Sequence, residues 1–159
     1  MPPRIRRRIP TDLPACVDVL ADVHATDRYP AFWPSEPASW LSPDDLVDAW
    51  VASVDDGIAG HVALTGSDLV IDGWAPDALV SRLFVAPDRR RDSVGSLLLA
   101  HVRDHARRTG RTLGLEVAEL GARPAVALYE QRGWTCVGTG VAGWRTPDGD
   151  PVLVRYYRS

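Results

Sequence analysis

Three consecutive arginines and a run of small residues lie side by side in the middle of the chain. The arginines are Arg89, Arg90 and Arg91, and residues 93–96 read Ser-Val-Gly-Ser. An apolar run ending at Val85 precedes them, and a helical apolar periodicity follows. Backbone N–H groups at a helix start lack partners and attract anions together with the helix dipole, and small residues let a phosphate come close. The spacing therefore predicts a site for a phosphorylated ligand.

Composition limits the classes of protein to which the chain can belong. Its 159 residues are enough for one domain, and we expect a single domain over residues 1–159. A net charge of −3 argues against a nucleic-acid partner, and no apolar segment is long enough to span a membrane. Residues 1–10 lack the apolar centre of a signal peptide, so we expect a cytoplasmic protein. All 18 basic residues are arginines, which excludes mechanisms with a lysine nucleophile.

Cysteine and histidine spacing does not indicate a metal site. Cys16 and Cys136 are too few for a disulfide framework or a metal quartet. His101 and His105 have the spacing of ligands on one helix face, but the sequence shows no third ligand. We therefore expect no metal.

Apolar periodicity and turn signals predict six strands and four helices. The strands are expected at 5–9, 58–65, 79–85, 112–117, 134–141 and 152–157. The helices are expected at 13–27, from a cap at 42–45 to Ala52, at 93–108 and at 123–132. The resulting order, β-α-α-β-β-α-β-α-β-β, is that of a mixed α/β or α+β domain. Residues 28–42 hold three prolines and four aromatic residues, which excludes one regular element there.

This order and the basic loop resemble the GNAT superfamily of acyl-CoA-dependent N-acetyltransferases over nearly the whole chain. The family's coenzyme A loop reads Arg/Gln-x-x-Gly-x-Gly/Ala; Arg90 and Gly95 occupy its first and last positions, and Ser93 replaces its middle glycine. Residues 125–134 (Ala-Val-Ala-Leu-Tyr-Glu-Gln-Arg-Gly-Trp) resemble the family's Ala-x-x-Leu-Tyr-Glu-x-x-Gly-Phe segment. Ala122 stands where the family often has an asparagine. The resemblance implies a mixed, mostly antiparallel sheet of about six to seven strands flanked by about four helices.

The resemblance also implies an enzyme that moves an acetyl group from acetyl-CoA to an amine by direct attack in a ternary complex. The strand residues Leu83, Phe84 and Val85 would hold pantetheine through their backbone. The pyrophosphate would lie against the loop, whose residues are Arg90, Arg91, Asp92, Ser93, Val94, Gly95 and Ser96. Because transfer is direct, neither cysteine is needed as a nucleophile.

Tyr129 is the catalytic candidate, since the family commonly places this hydroxyl near the thioester sulfur as a general acid. The general base stays open. Many relatives have a glutamate near position 79, but Leu79 cannot accept a proton. The remaining candidates are Glu116, Glu119 and His61, and a chain of water molecules to bulk solvent is the alternative.

The aromatic segment 28–40 occupies the place where the family builds its acceptor wall. Tyr29, Phe32 and Trp33 are therefore expected to bind the acceptor, with packing into a satellite core or an interface as the alternative. Aromatic rings suit an apolar or cationic acceptor. A cationic amine is also favoured by the acidic residues nearby, which are Asp27, Glu36, Asp44 and Asp45.

Three hypotheses of function follow. The first is acetylation of the primary amine of a small molecule. The second is acetylation of a protein or peptide, and the third is a coenzyme A-binding sensor without turnover. A homodimer is expected only by analogy with relatives.

Overall fold

The computed structural model describes residues 2–119 and 124–159, and in this part of the chain seven strands form one sheet. The strands are β1 (Arg4–Arg7), β2 (Leu46–Val54), β3 (Gly57–Gly66), β4 (Ala78–Val85), β5 (Leu113–Ala118), β6 (Thr135–Arg145) and β7 (Pro151–Arg158). The helices are α1 (Leu13–Asp27), α2 (Pro37–Trp40), α3 (Val94–Thr109) and α4 (Pro124–Gln131). None of the described helices is long and apolar enough to cross a membrane.

The sheet confirms the mixed, mostly antiparallel fold predicted from the sequence. Its strand order is β1-β2-β3-β4-β5-β7-β6. Only β4 and β5 pair in parallel, because α3 carries the chain back across the sheet between them. All other pairs described are antiparallel.

The predicted second helix, from the cap at 42–45 to Ala52, is wrong. These residues enter β2, which pairs with β1 on one side and with β3 on the other. Residues Ala49 to Ala52 are all buried, so both faces of the strand are apolar and its period of two is hidden. The hairpin turn at Asp55 and Asp56 is the sequence signal that indicates a strand before it. Asp55 and Asp56 both have positive φ, as a two-residue hairpin requires, and a hairpin needs a strand on each side.

Two apolar layers cover the two faces of the sheet. Trp50, on β2, packs with the α3 residues Leu98 and Val102 on one face. Val51, its neighbour in the chain, points to the other face and packs with Leu20 of α1. The two helix histidines belong to the first layer, because His101 and His105 contact the Trp50 ring edge-on at centroid distances of 5.5 and 4.9 Å.

One glycine brings α3 close to the sheet. A Cβ atom at Gly60 on β3 would lie 2.9 Å from Cγ1 of Val94 and 3.0 Å from Cδ1 of Leu98. A larger residue would force the helix away, since interiors are close-packed. The glycine therefore places the start of α3 directly beside the end of β4, where Val85 pairs with Gly60.

A bulge in β4 separates it from β5. Ser81 pairs with Ala63 and Phe84 with His61, so that Arg82 and Leu83 together face one residue of β3. Arg82 has a φ of 50°, in the left-handed region. On the other edge, the register between β4 and β5 ends at Val80 and Leu115. Beyond that point the two parallel strands diverge and leave an opening in the sheet.

Candidate active site

A cavity of about 640 Å³ fills the opening between β4 and β5. Its walls come from the end of α1, from β3, β4 and β5, from the start of α3, and from α4. The predicted site residues that line it are Tyr29, Leu83, Phe84, Val85, Arg90, Ser93, Gly95, Ser96, Glu116 and Tyr129. Those outside this lining are Phe32, Trp33, His61, Arg91, Asp92 and Val94.

The loop predicted to hold phosphate forms a short 3-10 segment, Pro87–Asp92, and leads directly into α3. Ser93, between the two, has a φ of 59°. This left-handed conformation costs a residue with a Cβ about 1–2 kcal/mol, which explains why glycine is usual at this position of the motif. Val94, the first residue of α3, is fully buried, whereas Arg91 is exposed.

Gly95 lets the start of α3 lie close to α4. A Cβ atom at Gly95 would lie 3.1 Å from Cδ2 of Leu128 and 3.6 Å from Cγ2 of Val85. These two neighbours line the same cavity. The last glycine of the motif therefore lets α3 approach Leu128 and Val85 beside the cavity.

Arg90 is tied to the end of α1. Its Nη2 forms an ion pair with a carboxylate oxygen of Asp27 and lies 3.5 Å from the carbonyl oxygen of Val85. Arg89 pairs with Asp92 at 3.7 Å, in an exposed turn. The middle arginine of the triplet thus fixes the loop against β4 and α1, and Asp27, predicted to attract a cationic acceptor, is already neutralised.

Tyr129 lies on the α4 wall of the cavity. The residue is buried, and its ring packs against Trp134 and Tyr157 at centroid distances of 6.3 and 6.2 Å. Packing on two sides holds the ring in a defined position facing β4. Ala122, the position of the family's asparagine, and Arg123, the predicted start of α4, lie outside the described residues.

Glu116 lies on β5, just beyond the point at which this strand leaves β4. Partial burial raises the pKa of its carboxyl above the usual glutamate value, although solvent reaches it through the open cavity. Glu119, the other glutamate considered, is bound by the guanidinium of Arg155 and does not line the cavity. Of the two glutamates, only Glu116 is placed to accept a proton inside the cavity.

His61 is fully buried behind β4. Its Nε2 lies 2.8 Å from Nη1 of Arg8, and its Nδ1 lies 2.8 Å from the carbonyl oxygen of Arg82. Arginine only donates, so Nε2 accepts and Nδ1–H donates to the carbonyl. Burial, together with nearby guanidinium charges, lowers the pKa of His61 to about 4. His61 is therefore a neutral structural residue that satisfies a carbonyl of the bulge.

The aromatic segment splits between the cavity and the outer surface. Tyr29 lines the cavity and contacts Trp40 edge-on at 6.1 Å. Trp33 packs on His24 at 5.4 Å and is 40% exposed, while Phe32 contacts Trp144 of β6 at 6.2 Å and is 53% exposed. Only the first of the three predicted acceptor residues reaches the cavity.

Three charged residues that line the cavity are not among the predicted site residues, namely Asp27, Asp45 and Arg82. Arg82 lies on the β4 wall, and Asp45 lies at the end near Thr65 and Gly66. In the sequence, Asp27 and Asp45 are marked only as acidic residues near the aromatic segment. No sequence signal marks Arg82, because a bulge changes which face a strand residue occupies and leaves composition unaltered.

The comparisons with known proteins agree with this geometry. The model of the acetyltransferase (GNAT) domain family matches residues 45–136, more than half of the chain. No curated protein matches. The fold and the family match together define an N-acetyltransferase. The chain belongs to the GNAT family, as its two motifs indicated.

Solved structures show the same fold at low sequence identity. The ribosomal-protein-S18-alanine N-acetyltransferase of Escherichia coli is 24% identical with a TM-score of 0.72, over 98% of this chain and 93% of that one. The ribosomal-protein-alanine N-acetyltransferase of Brucella melitensis is 20% identical with a TM-score of 0.74, over 98% of both chains. A protein provisionally described as a phosphinothricin N-acetyltransferase is 21% identical with a TM-score of 0.74, over 98% and 96%.

Proposed function

We propose that this enzyme transfers the acetyl group of acetyl-CoA to the primary amine of a small molecule, by direct attack in a ternary complex. One observation carries the proposal. A single cavity is lined by the open edge of β4, by the start of α3, and by both Tyr129 and Glu116. Direct transfer needs both substrates in one cavity, since the amine must reach the thioester carbonyl.

The coenzyme half of the cavity is the half next to α3. Residues Leu83 to Val85 continue past the last β4–β5 pair, so the β4 edge that faces the opening is available for hydrogen bonds to pantetheine. The backbone at Ser93, Gly95 and Ser96 starts a helix, where N–H groups and the helix dipole favour a pyrophosphate. Bound there, acetyl-CoA supplies an activated acyl group as a thioester.

The acceptor half lies at the other end. Val85 pairs with Gly60 near α3, whereas Ala78 pairs with Gly66, six residues further along β3 and roughly 20 Å away. Asp45, Thr65 and Gly66 line the cavity at this far end. An amine entering from there meets the thioester between the two strands.

The reaction balances with two proton transfers. The amine nitrogen attacks the carbonyl carbon, an N–C bond forms and the C–S bond breaks. Glu116 takes the proton that the amine loses, and Tyr129 gives its phenolic proton to the departing thiolate. The products are an N-acetyl amine and free coenzyme A.

Release of free thiol tests the proposal. Purified protein with acetyl-CoA is mixed with a panel of amino acids, polyamines, aminoglycosides and short peptides, and thiol is followed by a chromogenic disulfide. We expect turnover with at least one small amine. Binding of acetyl-CoA without thiol release across the panel would favour a sensor instead.

A protein N-terminus is the second candidate acceptor. It is favoured by the likeness in fold to two enzymes whose names specify an alanine of a ribosomal protein. The same panel separates the small-molecule acceptor from the protein N-terminus. If a protein N-terminus is the acceptor, a peptide with an N-terminal alanine should have a higher kcat/KM than every small amine.

A further inference from the structure

Arg82 places a fixed positive charge in the β4 wall of the cavity. The residue lies at the β4 bulge, three positions before Val85, and lines the cavity together with Ser81 and Thr65. Neither the loop motif nor the Tyr129 motif includes it.

Three contacts hold the Arg82 guanidinium. Its Nε donates to the carbonyl oxygen of Trp40 at 3.1 Å, and its Nη1 donates to Oγ of Ser81 at 2.8 Å. Its central carbon lies 4.4 Å from the centroid of the Trp40 ring, a cation–π contact. The second terminal nitrogen, Nη2, donates to no residue in the described part of the chain. The group is thus oriented and keeps one end free.

The charge of Arg82 has no protein counter-ion among residues 2–119 and 124–159. Of the carboxylates that line the cavity, Asp27 is paired with Arg90, and neither Asp45 nor Glu116 is within ion-pair distance of Arg82. A half-buried guanidinium is most stable beside an anion with planar geometry, such as a carboxylate.

The backbone adds a second, independent observation. A non-glycine residue in the left-handed region costs about 1–2 kcal/mol, and such positions concentrate at functional sites. Glycine or asparagine would fit a φ of 50° at lower cost. An arginine at this position is strained by its backbone and held by its side chain.

We propose that Arg82 binds the carboxylate of the acceptor, so that the acceptor is a free amino acid or a similar small molecule with an amine and a carboxylate. The inference rests on the proposed function and narrows its substrate class. It also gives Trp40, in the aromatic segment, a role other than binding a cationic acceptor. The Trp40 ring stacks on the protein's own cation, and that cation selects an anionic group.

Matched pairs of acceptors test the inference. Each L-amino acid is compared with its C-terminal amide, which removes the negative charge. Because amidation also makes the α-amine less basic, kcat/KM is expressed per concentration of unprotonated amine for both members of a pair. A charge-assisted hydrogen bond contributes enough for about a 10- to 100-fold preference in kcat/KM, and we expect it mainly in KM. The variant Arg82→Gln should lose this preference, because its kcat/KM should fall about 10- to 100-fold further for the acids than for the amides.

Two further variants control for folding and for net charge. Arg82→Lys keeps the charge without the planar fork and should retain part of the preference. Arg108→Gln removes a charge from α3 that is paired with Asp104 outside the cavity, and should leave the preference unchanged. Equal losses for acids and amides in Arg82→Gln, or a wild-type preference for amides, would overturn the inference.

Calorimetry of the amino acids and amides, with coenzyme A present, separates this inference from the proposed function. Carboxylate-selective binding that Arg82→Gln abolishes, without any thiol release, would support the inference and contradict turnover. Thiol release without carboxylate selectivity would support turnover and contradict the inference. Absence of amino-acid binding contradicts the inference.

Discussion

The two side chains proposed as acid and base line the cavity from different elements. Tyr129, on α4, is packed against two aromatic neighbours, and Glu116 lies on β5 at the opening. Packing defines the position of the Tyr129 phenol, whereas partial burial raises the pKa of the Glu116 carboxyl. Catalysis by two such groups depends on their protonation states as much as on their positions.

Replacing Tyr129 with phenylalanine removes only the hydroxyl. We expect kcat to fall by about 100-fold, because the thiolate then leaves without a positioned proton donor. The dissociation constant of acetyl-CoA, measured by calorimetry, should change by less than about threefold, since the ring and its packing remain. Equal losses in kcat and in coenzyme affinity would remove the acid role.

The proposed role of Glu116 as the base predicts how activity depends on pH. Burial raises the pKa of Glu116 above the ordinary glutamate value of 4.5, so the carboxylate proposed as the base becomes the major form only at a pH above that value. Activity should therefore rise with pH through a limb whose midpoint lies above that value. Measurement of kcat/KM against pH checks it.

The matched variants are Glu116→Gln and Glu119→Gln. The first should lower kcat/KM and abolish the limb, and the second should preserve it, because Glu119 is bound by Arg155 outside the cavity. A limb that survives in Glu116→Gln would point to a water chain as the base.

At the level of elements, the coenzyme half depends on where α3 begins. Gly60 admits the helix to the sheet, the left-handed Ser93 turns the chain into it, and Gly95 keeps it close to α4. Arg90 acts at the same junction, because it ties the loop to α1. The loop is therefore a junction of three elements as well as a basic turn.

Substitution of Gly95 by valine tests this junction. The branched side chain would collide with Leu128 and Val85, which already stand 3.1 and 3.6 Å from a Cβ atom at this position. We expect acetyl-CoA affinity to fall by at least about tenfold, with a loss of about 1–3 kcal/mol in unfolding free energy. Gly143→Val is the control, because a Cβ atom there meets nothing within 4 Å. Unchanged coenzyme affinity in Gly95→Val would contradict the assignment of the loop.

For the whole molecule, a buried polar network connects the sheet to the irregular segment. Arg8 donates to Nε2 of His61, to the carbonyl oxygen of Leu41 and to Oγ of Ser42. His61 in turn donates to the carbonyl oxygen of Arg82 in the bulge. The chain after β1, the residues before β2, and the strands β3 and β4 are thereby held together around neutral histidine.

Acid should weaken this network. The pKa of His61 is about 4 in the folded protein and 6.5 when unperturbed, so the unfolded chain takes up the proton first. The stabilising contribution is complete above pH 6.5, declines as the pH falls and is absent below pH 4. The contribution of His61 to the free energy of unfolding amounts to roughly 3 kcal/mol.

Urea unfolding at several pH values checks this prediction. His61→Asn does not titrate, so its free energy of unfolding should be lower at neutral pH but should depend less on pH. The difference between the two proteins should therefore narrow between pH 6.5 and pH 4. Parallel curves would show that His61 does not carry the effect.

The amino-acid sequence by itself determined the features that depend on local order. The loop motif at Arg90 to Gly95 and the segment around Tyr129 indicated the family, and periodicity located α1, α3 and five of the later strands. Such signals can be read because a helix start or an amphipathic element depends on neighbours in the chain.

Tertiary structure decided the features that depend on pairing. Residues 46–52 became a strand because β1 and β3 bury both of its faces, which no local pattern displays. The bulge put Arg82 into the cavity and His61 behind it, although both lie on predicted strands. The residues of the half proposed to bind the coenzyme could thus be identified from contiguous stretches of sequence. The acceptor half could not, because it is assembled from α1, β3, β4 and β5, which meet only in the folded sheet.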